Sequence, residues 1–206
     1  MVSATSFFLT TDYQMSSLKE LTWENHKKAE RTKFMQRLIK RNITPYQYYV
    51  YLKNQAEAYR TLEYHASLQG MFDFKNEDLY PILRTANMLL DIEEMEITYS
   101  FGEAPIFGSI QKYQEYINQI KSDKDRLLAH VYVRHMGDLS GGQIIKKLVP
   151  GPTHAYEFDC NPEELKNAVR KRLHDGLVDE ANVCFSMVQE FLEELEEYFG
   201  NMESTE

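Results

Sequence analysis

The sequence predicts an all-α, single-domain fold of six to seven helices, and three observations carry that prediction. Helix-start signals recur along the chain: Ser17 with Glu20, Thr44 with Pro45 and Gln47, and Asn161 with Pro162. No stretch alternates apolar and polar residues as a half-buried strand does. The periodic segments are joined by short connections, and no internal repeat stands out.

Taken in order, the first helix is expected after the Ser17 capping box, over "LKELTWENHKKAERTKFMQRLI". Thr44 then offers an N-cap, Pro45 an N1 residue and Gln47 an N3 partner for a second helix running towards Gly70. A third is placed from Glu77 to Thr98, a fourth from Ile106 to Ile120, and a fifth from Ser122 through a glycine-rich stretch to Leu148. "NPEE" at 161 to 164 starts another, and "LVDEANVCFSMVQEFLEELEEYF" is the last long amphipathic segment. Residues 1–15 read as a tail, 16–200 as the helical domain and 201–206 as a second tail.

Composition narrows the function classes. A chain of 206 residues with a net charge of −9 lacks the basic surplus that nucleic-acid binding needs. No window approaches the ~20 apolar residues of a membrane span, and the opening lacks the basic n-region of a signal peptide. A soluble, cytoplasmic protein is expected, with Cys160 and Cys184 as reduced thiols. Basic residues nevertheless cluster between Lys19 and Arg41, among them Lys27, Lys28, Arg31 and Lys33. That cluster reads either as a solvated helix face or as a surface for an acidic partner.

The segment "YVRHMGDLSGGQIIKK", residues 132 to 147, contains Gly137, Gly141 and Gly142 inside a helical pattern, each costing about 1 kcal/mol relative to Ala. Close packing of another helix would compensate, and so would a flat ligand lying on bare backbone. Asp138, one turn after Arg134, suits the ligand reading, because a carboxylate organises polar groups better than it packs helices. On the first helix, His26 has Thr22, Ala29 and Glu30 one turn away. Glu30 could hold one imidazole nitrogen while the other coordinates a metal. The remaining histidines show no Glu-x-x-His, HExxH or Cys/His zinc spacing.

These two segments together resemble the heme oxygenase family: "YVRHMGDLSGGQIIKK" is similar to its signature and "LKELTWENHKKAE" to its proximal helix. The resemblance covers residues 16 to 199. It implies heme between a proximal and a distal helix, with His26 as the iron ligand and Glu30 holding its ring. It implies Gly137 and Gly141 as the glycines that bring backbone close to the iron, and Asp138 as the carboxylate that supports dioxygen through ordered water. Tyr59, Tyr132 and Arg134 match the same distal polar network, and Lys19, Lys166 and Arg170 match residues that pair with the heme propionates. Thr22 and Ala29 line the proximal side.

The implied activity is oxidative opening of heme, as cofactor and substrate together, to biliverdin of the IX-alpha type, with release of carbon monoxide and ferrous iron. The chain carries no flavin or nicotinamide fingerprint, so the resemblance implies an external donor, ferredoxin, docking on Lys27, Lys28, Arg31 and Lys33. A downstream bilin reductase is a further implied partner. His135 departs from the aromatic residue common at its position, and Val188 stands where an Asn is frequent. A non-catalytic heme or bilin carrier on the same fold is the alternative, and a thiaminase-like or di-iron bundle a third reading.

Overall fold

Two helices begin where their side chains dictate. The Thr44 hydroxyl accepts from the Gln47 amide at 3.2 Å while the Gln47 side chain accepts from the Thr44 amide at 2.9 Å, and Asn161 accepts from the Glu163 amide at 2.9 Å. The structure, a computed structural model, describes residues 5–73 and 78–203, with side chains from Leu18 to Met202. Among the described residues are nine α-helices: α1 (Thr5–Glu30), α2 (Lys33–Ile39), α3 (Pro45–Leu68), α4 (Thr85–Tyr99), α5 (Gly108–Ile120), α6 (Lys124–Ser140), α7 (Gly142–Ile145), α8 (Pro162–Arg170) and α9 (Val178–Glu203). No strand occurs among them, and none of these helices is long and apolar enough to cross a membrane.

The expected six to seven helices become nine because two are interrupted. The first stops at Glu30 and resumes at Lys33: the Thr32 hydroxyl bonds the Ala29 carbonyl at 2.8 Å, and the Gln36 side chain takes the Glu30 carbonyl at 2.8 Å. The second break, at Gly141, separates α6 from α7. At the other end, α1 does not start at the Ser17 box but runs through it from Thr5, since nothing in "SFFLTTDYQM" breaks a helix. Residues 5–15, expected as a tail, therefore belong to α1, and residues 1–4 lie outside the described ones.

Two other starts are set by carboxylates from distant helices. Glu63 of α3 accepts from the Arg84 amide at 2.6 Å and the Thr85 amide at 3.1 Å, so α4 begins at Thr85, after a single 3-10 turn at Tyr80–Ile82, and not near residue 77. Residues 74–77 lie outside the described ones. Glu194 of α9 accepts from the Gly108 and Ser109 amides at 3.1 and 2.9 Å, which starts α5 two residues later than expected. Asn54, fully buried on α3, bonds Pro105 and Phe107 and pins the loop between α4 and α5.

The apolar core runs through the middle of this assembly, with Leu52 and Leu62 of α3, Ile117 of α5, Leu127 and Val131 of α6 and Leu195 of α9 fully buried. The helix α9 is the common platform: α1, α2, α5 and α6 all pack on it. The helix α3 packs on α4, α5 and α6 from the other side.

Glu63 also receives the buried His135 imidazole at 3.0 Å, linking α3, α4 and α6. Burial works against its charge, but His135, Thr85 and the Arg84 amide hold its carboxyl below the ordinary value. A depressed carboxylate adds stability that is present above its unfolded value and lost as pH falls through its folded one. Glu63→Ala is therefore expected to cost about 3 kcal/mol or more at neutral pH, read by chemical denaturation, and the difference from the wild type should shrink once pH falls below the ordinary carboxylate range.

Candidate functional site

The helical period decides which residues of the glycine segment face together. At about 100° per residue, Arg134 and Asp138 share one face of α6, whereas Tyr132 points elsewhere. The structure follows this division. The Tyr59 hydroxyl, on α3, donates to Asp138 Oδ2 at 2.7 Å. Arg134 lies buried with its guanidinium 4.1 Å from the Tyr113 ring centre and 5.5 Å from that of Tyr59, and its Nη1 donates to Gln55 Oε1 at 2.9 Å. Burial opposes the Arg134 charge, yet Tyr113, Cys184 and Tyr59 hold it above its ordinary value.

Tyr132 does not join this network, contrary to expectation. Helical geometry carries it round to another side of α6, where burial pushes its hydroxyl up. Thr22, expected beside His26, lies one turn before it on α1. Thr22 is buried, donating to the Leu18 carbonyl at 2.8 Å.

Burial raises the Asp138 carboxyl to about 6, against the lowering effects of Tyr59, His135 and Arg84. It is thus poised to exchange a proton near neutrality. His135 is fully buried between Glu63 and the Val131 carbonyl, with its ring 5.1 Å from that of Tyr59. It is a core residue, as its sequence position allowed, and not a ligand.

The glycines divide by role. A Cβ at Gly142 would sit 2.8 Å from Tyr156 Cδ1, so this glycine is required by packing. At Gly137 a Cβ would meet nothing within 4 Å, and at Gly141 it would meet only the Gly137 carbonyl oxygen at 3.4 Å. Both positions are exposed. Bare backbone therefore faces open space along one edge of α6, and packing does not explain it.

His26 stands on α1 with 40% of its side chain exposed. Its Nδ1 is buried and has no hydrogen-bond partner, so the accessible edge of the ring is the Nε2 side. The hydrogen bond expected between Glu30 and the ring is not formed: the nearest carboxylate oxygen is 3.8 Å from Nδ1, beyond hydrogen-bond distance, and the Glu30 side chain is 55% exposed. Rings hold the imidazole instead. Trp23 stacks on it at 5.2 Å and 10°, and Phe185 of α9 meets it edge-on at 5.9 Å and 79°. Ala29 is half-buried on the same helix.

The expected cationic residues lie apart. Lys19 is over the Trp23 ring at 6.0 Å. Lys166 and Arg170, on α8, both reach Glu163, at 2.7 and 3.5 Å, and α8 packs against α6. Lys27 is paired with Glu24 at 2.6 Å and Lys28 with Asn25 at 3.4 Å, while Arg31 and Lys33 are exposed.

The heme oxygenase family model matches residues 14–199 of this chain. The chain belongs to the heme oxygenase family. Heme oxygenase 1 of the cyanobacterium Synechocystis is 30% identical over 91% of this chain and 85% of its own length. Heme oxygenase 2 of the rabbit, Oryctolagus cuniculus, is also 30% identical, and this chain spans 65% of it. The crystal structure of the Synechocystis heme oxygenase-1 in complex with heme superposes with a TM-score of 0.74 at 26% identity, over 92% of this chain and 97% of that one. The heme oxygenase of Leptospira interrogans, 24% identical, shares the fold with a TM-score of 0.73.

Within this heme oxygenase fold, sequence reasoning missed Tyr113, Gln55, Glu63 and Phe185, all partners of site residues from other helices. Trp23 had a usable signal, three residues before His26 and on its face of α1. Gly142→Ala is expected to lower stability by about 1–3 kcal/mol through the Tyr156 contact, whereas Gly137→Ala should leave it within about 1 kcal/mol of the wild type. Thermal and chemical denaturation of the two variants side by side measure this.

Proposed function

We propose that the space between α1 and α6 binds heme and that the chain opens it to biliverdin, releasing carbon monoxide and ferrous iron. The observation that carries this reading is the pairing of an accessible imidazole edge on α1 with bare glycine backbone on α6. A planar macrocycle needs one ligand and one surface without side chains, and these residues offer both. Family membership and the likeness to the Synechocystis heme complex support it. Heme, when bound, supplies the redox chemistry at its iron and is itself the substrate.

The residues then have separate tasks. His26 would hold the iron through Nε2 as a neutral ligand. Gly137 and Gly141 would let the distal backbone approach. Asp138, held by the Tyr59 hydroxyl, would orient water and pass protons at its carboxyl oxygens. Arg134 keeps a permanent positive charge beside Tyr59 at every working pH. Lys19, Lys166 and Arg170 would pair with the propionates and so set the rotation of the ring that leads to the IX-alpha product. For the last two this means giving up Glu163.

The electron donor in this reading is ferredoxin. Arg31 and Lys33 are exposed beside Lys27 and Lys28, which suits an acidic surface. Turnover with ferredoxin should fall steeply with added salt while heme affinity holds, measured by a salt series of turnover and of hemin titrations.

Hemin added to the purified protein is expected to give a Soret band that His26→Ala loses. With ferredoxin, its reductase and NADPH in air, that band should decay as a bilin absorption grows; a stable heme spectrum under full reduction would mark a carrier. Asp138→Asn should bind hemin like the wild type and yield far less biliverdin. Because Asp138 is protonated below about 6 and ionised above it, wild-type yield should rise as pH passes upward through that value. Its neighbours Tyr59, His135, Arg84 and Glu63 remain in place in the variant, whose profile should lack the step.

A further inference from the structure

His26 is held by rings and not by its carboxylate neighbour. We propose that Trp23 is the positioning residue for the His26 imidazole, fixing the plane of the ring before any ligand arrives, with Phe185 bracing it. This rests on the reading of His26 as the heme ligand.

Trp23 precedes His26 by three residues on α1, so the two side chains stack along the same helix face. The stack is near-parallel, 10° between planes, while Phe185 meets the imidazole at 79°. Two contacts in different planes remove both the tilt and the spin of the ring. Glu30, the competing restraint, is 3.8 Å away with 55% of its side chain exposed, and such a pair holds little.

Core packing does not account for the indole, which is 43% exposed. Its own position is nevertheless restrained. The Lys19 and Lys27 ammonium groups lie 6.0 and 5.9 Å from its centre, one turn before and one turn after it, and Lys27 is anchored by Glu24. A flat surface side chain held between two cations and laid against a single imidazole is a device for orienting that imidazole. Ordering the ligand in advance removes that cost from binding.

The test separates Trp23 from Glu30. In the heme-free protein, the indole ring current should displace the His26 ring protons upfield in the NMR spectrum. Trp23→Leu should abolish that displacement, Trp23→Phe should keep part of it, and Glu30→Gln should leave it in place. In hemin titrations, Trp23→Leu should weaken affinity about three- to tenfold, Trp23→Phe should restore most of it, and Glu30→Gln should stay within about twofold. His26 protons that do not move in Trp23→Leu, or that move more in Glu30→Gln, overturn the proposal. A Soret band that survives His26→Ala would instead sink the ligand reading, while the NMR comparison still reports on the stack.

Discussion

The two halves of the site stand in register because both lean on α9. From that helix Phe185 meets His26 of α1 edge-on. Nearby, Glu180 accepts from His130 at 3.0 Å and from Arg126 at 2.8 Å, while Asn182 pairs with Asn25 at 2.8 Å. The Gln189 side chain adds a bond to the Asn25 carbonyl at 3.1 Å. A shift of α9 would therefore move both faces of the cleft together.

What the sequence made legible was local. Thr44 and Asn161 carry their caps within three residues, so the starts of α3 and α8 could be read at sight. The starts of α4 and α5 could not, because Glu63 lies over twenty residues before the amides it caps and Glu194 over eighty after. The same distinction governs the site. His26, Gly137 and Asp138 announce themselves by residue type and spacing, whereas Tyr113, Gln55 and Phe185 are ordinary members of apolar stripes until the helices pack. Tyr132 shows the limit of motif reading: it lies within the signature segment, yet helical geometry turns it away from the face that Arg134 and Asp138 share.

Several polar groups buried in this interior are paired across helices. Arg134 is set between two tyrosine rings and an amide oxygen, and Glu63 between an imidazole and the start of a helix. Removing one partner from such a set leaves the other uncompensated in a low-dielectric surrounding. Asp138 is the exception that matters: its one tyrosine partner does not offset its burial, and its proton is left easy to exchange.

The interruption at Gly141 is held from outside the helix. The Gln143 side chain spans the break, donating to the Asp138 carbonyl at 3.3 Å and the Tyr156 carbonyl at 3.0 Å. Tyr156 also fills the space where a side chain at Gly142 would be. Its short segment is in turn fastened to α4 by Asp91, which accepts from the His154 and Ala155 amides at 2.8 and 2.9 Å. A break clamped at three points is a welded joint and not a hinge. The backbone on either side of Gly141 is consequently set in place by the frame, through α4, rather than left to a flexing helix.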